Sequence, residues 1–199
     1  RDLKIFYLGS VHPEKGVAEL IEAFNNIPIN IRRDWKLSIR GPWRTEQGGG
    51  GKKFINQLKK MTSERNASIE LLDPVFSESK LKDELRSARI FAYPSLAERG
   101  ETFGLSVLEA MSCGCVPIVS ALQCFKDLVE NNKNGYVFNH KSTHPDDSLI
   151  SVLSKAMQFE ANNITLSNEA RIKSKKFEVE EVSQNYLDDF EKLLSEKHF

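Results

Sequence analysis

The sequence predicts an α/β domain built on a doubly wound, mostly parallel sheet of six strands. Short apolar runs alternate along most of the chain with segments whose apolar residues recur at helical spacing. The first run, residues 3–8, is almost wholly apolar, as expected of a strand buried on both faces of a parallel sheet. We therefore expect a single domain, with a Rossmann-like core over about residues 1–140 and a helical segment over about residues 144–199.

Each predicted strand ends at residues that stop it. Residues 35–40 alternate apolar and polar side chains and end at a glycine–proline pair, and residues 69–72 end at an aspartate–proline pair. The predicted strands are residues 3–8, 35–40, 69–72, 90–93, 116–119 and 136–138. The predicted helices are residues 13–27, 54–61, 81–88, 104–114, 149–157 and 179–194. Because ligands of doubly wound sheets bind at the carboxyl ends of the strands, we expect the site just after them.

Composition excludes several classes of protein. The 199 residues carry 28 Lys+Arg and 28 Asp+Glu, and this zero net charge argues against a general nucleic-acid binder or a polybasic membrane anchor. At 40% apolar and 28% charged residues the chain is globular rather than disordered. No apolar run approaches the ~18 residues of a transmembrane helix, and no signal peptide is present. The chain starts at Arg1 rather than Met, so we expect it to be part of a longer, cytoplasmic protein.

Three cysteines lie close together without forming a recognisable framework. Cys113, Cys115 and Cys124 are odd in number, lack a nearby histidine and lack the spacing of zinc ligands. We expect small buried thiols in a reducing compartment and no bound metal. In such a compartment the glycosylation sequons at Asn66 and Asn163 carry no meaning.

The glycine run at residues 48–51 is followed by Lys52 and invites comparison with a phosphate-binding loop. The spacing fails, because Glu46 stands where the first glycine should be and Lys53 replaces the serine or threonine. We therefore expect a mobile surface loop.

The segment from Tyr93 to Met111 concentrates the polar chemistry. It leaves a strand, passes through a polar loop and enters a helix at about Gly104. The first turn of a helix presents unpaired backbone N–H groups and the positive end of the helix dipole. Glycine lets a ligand approach that backbone closely, so the segment predicts a phosphate site.

Glu109 is the only charged residue of the helix predicted over residues 104–114, a composition typical of a helix buried on all sides. A buried carboxylate is costly unless donors meet it, and this helix carries no cation to do so. The two vicinal hydroxyls of a ribose are suitable donors. The alternative is a set of backbone N–H groups from a neighbouring loop.

Glu101 lies eight positions earlier, before the helix begins. Eight helical residues span ~12 Å, so the two carboxylates could hold the sugar and the ribose of one sugar nucleotide. The alternative for Glu101 is a solvated loop acid favoured by the helix dipole. Lys15, shortly after the first strand, could neutralise a phosphate as a point charge, and its alternative is an ordinary surface lysine.

Two stretches resemble the retaining GT-B glycosyltransferases of the glycogen synthase and sucrose synthase type. The first is Gly9 with P-E-K-G at residues 13–16 and L-I-E-A-F at residues 20–24. The second is P-S at residues 94–95, E-T-F-G-L at 101–105, L-E-A-M at 108–111, glycine at 114 and P-I-V-S at 117–120. This second stretch is similar to the E-x7-E signature of that family, and the resemblance covers about residues 3–138.

The resemblance implies a nucleoside-diphosphate sugar as donor, UDP- or GDP-linked first of all, and no cofactor or tightly bound metal. It implies transfer with retention at the anomeric carbon to a glycan or lipid-linked acceptor. Glu101 is the implied catalytic residue, beside the donor sugar. The implied donor-binding residues are Gly9, Ser10, Lys15, Arg40, Val75, Thr102, Phe103, Gly104, Leu105 and Glu109. Within this set Glu109 would hold the ribose, Lys15 and the N–H groups of Gly104 and Leu105 the diphosphate, and the loop at Val75 the base.

Two departures from the family pattern bear on the donor. The family has an arginine after the glycine of the first strand, whereas this chain has Ser10, which removes a charge-assisted phosphate contact of ~1.5–3 kcal/mol. Arg40, Arg99 and His12 are the candidates to replace it. The family's Gly-Gly-x-x-Glu stretch is replaced by residues 122–127, which puts the expected donor-sugar contacts there in doubt.

The resemblance covers only the donor-binding half of such an enzyme, so we expect an N-terminal acceptor domain as a partner. The apolar row over residues 179–194 forms either a seam with that domain or a contact with this sheet. A sugar-nucleotide epimerase of the same architecture and a non-catalytic nucleotide-sugar-binding module remain alternatives. We expect no nucleic-acid partner, and membrane contact only at the periphery of the full-length protein, on the inner face.

Overall fold

The computed structural model describes residues 1–63 and 68–196, so the first sequon begins outside the described residues. The strands are β1 (Asp2–Leu8), β2 (Lys36–Arg40), β3 (Ile69–Leu72), β4 (Ala88–Tyr93), β5 (Val116–Ser120) and β6 (Tyr136–Phe138). The helices are α1 (Val17–Asn26), α2 (Ile29–Arg32), α3 (Gly51–Ser63), α4 (Glu78–Ser87), α5 (Leu105–Ser112), α6 (Leu149–Gln158), α7 (Glu160–Lys175) and α8 (Val179–Glu196). Single turns of 3-10 helix lie at Pro13–Lys15, Thr45–Gln47, Gln123–Phe125 and Pro145–Asp147.

The six strands form one parallel sheet in the order β3-β2-β1-β4-β5-β6, which confirms the predicted fold class. The register brings the carboxyl ends of neighbouring strands to one edge, with Leu8 beside Arg40 and Arg40 beside Leu72. The strand order reverses between β1 and β4. In a doubly wound sheet this reversal opens a crevice outside the carboxyl ends of the two strands, where ligands bind.

Helices cover the sheet and bury its strands. Helix α1 packs with α3 and α6, while α5 packs with α7. The central residues of the strands, such as Ile5, Phe6 and Phe91, are fully buried. Burial on both faces is the reason that the strands read as apolar runs in the sequence.

Several predicted helix boundaries are wrong. Pro13 opens only a 3-10 turn, and α1 begins after Gly16, whose φ of 69° lies in the left-handed region. Ala88 is the first residue of β4 rather than the end of α4. Helix α7 lies inside the helical segment predicted over about residues 144–199, but its bounds were not predicted, because its buried positions include polar residues such as Asn163 and Ser174.

The prediction of a mobile surface loop at the glycine run is wrong for its later residues. Gly50 donates its N–H to the carbonyl of Val11 at 2.8 Å, and Gly51 donates to the carbonyl of Trp43 at 2.8 Å and begins α3. Gly49 is buried against the backbone of Trp43, in a space that a side chain would fill. The run is therefore a hydrogen-bonded turn into a helix.

The cysteine prediction holds in part. All three cysteines are free thiols, but only Cys115 is buried, and burial raises its pKa to about 12. Cys113 and Cys124 are partly exposed. Asn163 of the second sequon is buried, and its amide donates to the carbonyl of Ala156 at 2.5 Å.

Helix α8 lies apart from the core. Its apolar side chains other than the half-buried Val182 are exposed, from Val179 at 77% to Leu187 at 54%, so the alternative in which this row packs on the sheet is wrong. Across the described ranges 1–63 and 68–196, no helix combines the length and the apolar character needed to cross a membrane.

Candidate functional site

A cavity of about 350 Å³ opens at the carboxyl edge of the sheet. Its walls come from the ends of β1 and β2, the loop after β3, and one face of α4 and α5. The predicted site residues on its wall are Gly9, Ser10, Arg40, Val75, Leu105 and Glu109. Leu8, Gly41, Pro42, Pro74, Phe76, Leu81 and Ser106 complete the lining. The cavity therefore lies at the edge where the sequence predicts the ligand.

Lys15 and Glu101 form an ion pair at the neighbouring crevice between β1 and β4. The Nζ of Lys15 lies 2.8 Å from Oε2 of Glu101, and the side chains are 14% and 9% exposed. The hydroxyl of Tyr93, at the end of β4, donates to the same Oε2 at 3.2 Å. These contacts contradict both alternatives, because Glu101 is not a solvated acid and Lys15 is not an ordinary surface lysine.

Glu109 has the opposite environment. Helix α5 buries Val107, Ala110 and Met111 but exposes Glu109 and, at 68%, Leu105. The prediction that this helix is buried on all sides is therefore wrong. In the part of the chain that the structure describes, the Glu109 carboxylate has no hydrogen bond and no ion pair, so it is not held by backbone N–H groups either.

The charge state of Glu109 is shifted by its surroundings. Partial burial raises the pKa of its carboxyl, the negative charge of Glu78 adds to the rise, and Lys82 opposes it. The protein thus makes the charged form of Glu109 somewhat costly without supplying a donor for it. A ligand with hydroxyl donors would remove that cost.

Arg40 is on the cavity wall but its guanidinium is already engaged. Its Nε and one terminal nitrogen each donate to Glu84 at 2.6 Å, and the other terminal nitrogen donates to the carbonyl of Asp73. A bidentate pair of this kind is strong and holds the side chain in place. Arg40 therefore shapes the cavity, and the idea that it replaces the arginine missing at Ser10 does not agree with these contacts.

The other candidates to replace that arginine are not better placed. Arg99 is exposed in the turn between β4 and α5. His12 has its Nδ1 3.6 Å from a carboxylate oxygen of Glu14. Among the described residues, Arg40 is therefore the only cation on the cavity wall that includes Ser10, and it is already paired with Glu84.

Thr102, Phe103 and Gly104 lie between the two acids but outside the cavity wall. Thr102 is exposed, whereas Phe103 packs edge-to-face on Phe177 with ring centroids 5.5 Å apart. Gly104 has a φ of 85° and precedes α5, and a Cβ there would lie 2.7 Å from the ring of Phe125. Its glycine is therefore required by the backbone turn and by packing.

Sequence reasoning missed several residues of the site, and three of them bear on its chemistry. Tyr93 contacts Glu101, Glu84 holds Arg40, and Ser106 lies on the cavity wall in the first turn of α5. Tyr93 could have been identified, because it ends a strand at the predicted ligand edge. Glu84 could not, because it is separated from Arg40 by 44 positions.

A second cavity, of about 250 Å³, lies at the opposite edge of the sheet. Arg89 and Glu160 on its wall pair with each other at 2.6 Å, and none of the predicted site residues lines it. Within residues 1–63 and 68–196, no group of three or more His, Cys, Asp or Glu side chains is arranged to hold a metal ion.

Comparison with known proteins gives consistent results. Residues 1–170 match the sequence family described as Glycosyl transferases group 1. The O-antigen chain mannosyltransferase B of Escherichia coli is 34% identical over 115 residues, which are 57% of this chain and 27% of that protein. The D-inositol 3-phosphate glycosyltransferase of Xylanimonas cellulosilytica is 25% identical over 186 residues, which are 92% of this chain and 41% of that protein.

A solved structure shares the fold. The crystal structure of Anabaena Alr3699/HepE in complex with UDP-glucose matches with a TM-score of 0.76 at 17% identity, over 96% of this chain and 49% of that one. This chain spans 27% and 41% of the lengths of the two curated relatives above.

Proposed function

This chain belongs to the family of glycosyl transferases group 1, and on that premise we propose that it is the donor-binding half of a hexosyltransferase. Its ligand is a nucleoside-diphosphate sugar, and the parent protein transfers the sugar with retention at the anomeric carbon. The acceptor is a glycan or a lipid-linked saccharide. The E-x7-E resemblance at Glu101 and Glu109 is the reason to propose retention.

One observation carries the proposal. A cavity at the carboxyl edge of a doubly wound sheet is bordered by Glu109, an acid with no partner among the described residues, and lies beside the Lys15–Glu101 pair at the point where the strand order reverses. A sugar nucleotide has ribose hydroxyls that can donate to Glu109 and negative phosphates that can pair with Lys15.

The donor is proposed to lie along the wall in a fixed order. Its base contacts the loop at Val75, with Arg40 as a rigid support, and its ribose hydroxyls donate to Glu109. The diphosphate meets the free N–H groups at the start of α5, at Gly104 and Leu105, because the first N–H groups of a helix have no partner within it. The Lys15 ammonium is the proposed counter-charge for the same phosphates.

The sugar would then lie beside Glu101. As the glycosidic bond to the phosphate breaks, negative charge develops on the leaving diphosphate. The Lys15 ammonium and the α5 amides are already in place to stabilise that charge. Electrostatic stabilisation of this kind is the largest single contribution to the rate enhancement of many enzymes. No metal is needed in this arrangement. Because Lys15 also pairs with Glu101, binding of the diphosphate and the position of the carboxylate are coupled.

The relatives support a hexose donor. One curated relative is named as a mannosyltransferase and another as an inositol phosphate glycosyltransferase, and the structural neighbour binds UDP-glucose. UDP- and GDP-sugars are therefore the first donors to test. The name of the first relative also supports a growing glycan as acceptor.

The acceptor half is proposed to lie outside these 199 residues, because the chain spans less than half of the relatives that it matches. The exposed apolar row of α8, which includes Tyr186, Phe190 and Leu193, is proposed to pack on that half. We propose a cytoplasmic location, with the full-length protein meeting lipid-linked acceptors at the inner face of the membrane.

The proposal is tested in two steps. A thermal-shift screen of UDP-, GDP- and ADP-sugars identifies the base, and the full-length parent is then assayed for transfer from the best donor to glycan and lipid-linked acceptors. We expect stabilisation by at least one nucleotide sugar and transfer by the parent. The 199-residue chain alone should bind but not transfer, because an open cleft neither holds an acceptor nor excludes water. A parent that binds none of these donors would contradict the proposal.

A further inference from the structure

Two stacked tyrosines form the floor of the crevice between β1 and β4. The rings of Tyr7 and Tyr93 lie nearly parallel, with centroids 5.6 Å apart and planes 9° apart. Tyr7 is fully buried and Tyr93 is 6% exposed, and Phe125 packs edge-on against Tyr93 at 6.0 Å. A Cβ on Gly9 would lie 3.0 Å from both tyrosine side chains, so the glycine allows the first loop to lie directly on the rings.

The two hydroxyls hold the two loops of the site. Tyr7 donates to the carbonyl of Ser10 at 2.8 Å, in the loop after β1. Tyr93 donates to Oε2 of Glu101 at 3.2 Å, in the loop before α5. Both rings are fixed by packing, so their hydroxyls are fixed as well.

Both donors to Glu101 reach the same oxygen. Lys15 and Tyr93 donate to Oε2, and no described residue donates to Oε1. Two donors on one oxygen fix the rotation of the glutamate carboxylate about its Cγ–Cδ bond. The other oxygen is then left in a defined direction for a ligand.

We propose that Tyr93 is a positioning residue that orients the carboxylate of Glu101 for the donor sugar, an inference that rests on the proposed function of this site. The stacked rings hold the Tyr93 side chain rigidly, and its hydroxyl sets the orientation of the Glu101 carboxylate. Lys15 can exchange Glu101 for the donor diphosphate, whereas the Tyr93 hydroxyl has no other hydrogen-bond partner among the described residues and keeps its contact when the ammonium is drawn to the phosphates.

The protonation of the tyrosines agrees with this role. Burial raises the pKa of the Tyr7 and Tyr93 hydroxyls, and the negative charge of Glu101 raises both further. The hydroxyls therefore remain protonated donors throughout the pH range in which proteins are assayed.

The test compares two buried tyrosines in the full-length parent. Tyr93→Phe removes the hydroxyl and keeps the stack, and Tyr136→Phe removes an equally buried hydroxyl from β6, where it contacts Asn162 and Asn163. We expect Tyr93→Phe to lower kcat by ~10-fold, because a misdirected group in a reaction centre costs at least that much, while KM for the donor stays within about twofold. Tyr136→Phe should leave both constants unchanged.

Each result decides the role of Tyr93. Wild-type kcat in Tyr93→Phe, or a raised KM with kcat retained, would overturn the proposal. If the parent transfers no sugar at all, the proposed function fails, and the melting temperatures of Tyr93→Phe, Glu101→Gln and the double variant still test the contact. Shifts that are not additive support the contact between Tyr93 and Glu101, and additive shifts overturn it.

Discussion

Glu101 and Glu109 stand eight positions apart in one motif, yet the protein treats them in opposite ways. Glu101 is 9% exposed and receives donors from Lys15 and Tyr93. Glu109 is exposed on α5, has no donor among the described residues, and has its pKa raised by partial burial. One carboxylate is built into the protein, and the other is left for a ligand.

This difference indicates that Glu101 suits a role in positioning the reacting groups, whereas Glu109 suits a role in ligand binding. A group held by the protein in the absence of ligand is preorganised, which is what a reaction centre requires. A group that is left without a donor gains most when a ligand supplies one. On the proposed function, the reaction would take place beside Glu101, and much of the nucleotide affinity would come from Glu109.

The largest expected difference between the two acids is in stability. Glu101→Gln leaves the nearly buried Lys15 ammonium without its counter-charge, so we expect a loss of ~3 kcal/mol in the free energy of unfolding, measured with urea. Adding Lys15→Met should restore part of that loss. Glu109→Gln, the matched control on the exposed side, should change stability by less than ~0.5 kcal/mol. Equal losses in the two single variants would refute the distinction.

Nucleotide binding should show the reverse order. Glu109→Ala is expected to weaken binding of the preferred nucleoside diphosphate by ~10–100-fold, because a hydrogen bond to a charged group contributes ~1.5–3 kcal/mol. Glu109→Gln should weaken it less, since an amide oxygen still accepts. Calorimetric titration measures both, with Glu78→Gln as a nearby acid that should bind normally. Unchanged affinity in Glu109→Ala would exclude a ribose contact.

A smaller effect is expected at the position where the family arginine is missing. Ser10 is on the cavity wall, and Arg40, the one cation among the described residues that line this cavity, is already paired with Glu84. Ser10→Arg should therefore tighten diphosphate binding by ~10-fold through a charge-assisted contact. Ser10→Gln, of similar length without the charge, should give no such gain. If Ser10→Arg leaves the titration unchanged or weaker, another group already occupies that place.

The smallest effect is the pH dependence of Glu109. Its pKa is raised in the folded protein, so the folded state binds the proton more readily than the unfolded state, and its contribution to stability falls as pH rises from the unfolded to the raised pKa. Nucleotide affinity changes in the opposite direction, because only the charged form accepts two hydroxyls. Affinity measured across this range should rise with pH in the wild type and stay flat in Glu109→Gln.

The fold was predictable because its strands are buried on both faces. Residues 3–8 form an apolar run in the sequence because they lie in a central strand, which is covered on both faces. Helix α7 was not predictable by periodicity, since it buries Asn163 and Ser174 where apolar residues would be expected. Local pattern could not show that Asn163 accepts a tertiary hydrogen bond from Tyr136, or that Ser174 donates to the carbonyl of Arg171 within its own helix.

The sequence predicted which residues belong to the site better than it predicted the contacts between them. Lys15 and Glu101 were both identified, but their ion pair joins residues 86 positions apart, and only the strand order brings them together. Glu109 was predicted to face a ligand because α5 was expected to be buried. It faces the cavity for a different reason, since one side of α5 forms the cavity wall.

The most direct test of the account removes the proposed partner of Glu109 from the ligand instead of from the protein. The preferred nucleoside diphosphate and its 2′,3′-dideoxy analogue are titrated into the wild type and into Glu109→Gln. We predict that the wild type loses at least ~10-fold in affinity for the analogue, whereas Glu109→Gln loses clearly less. Equal affinity of the wild type for both ligands would contradict the claim that this carboxylate binds the ribose.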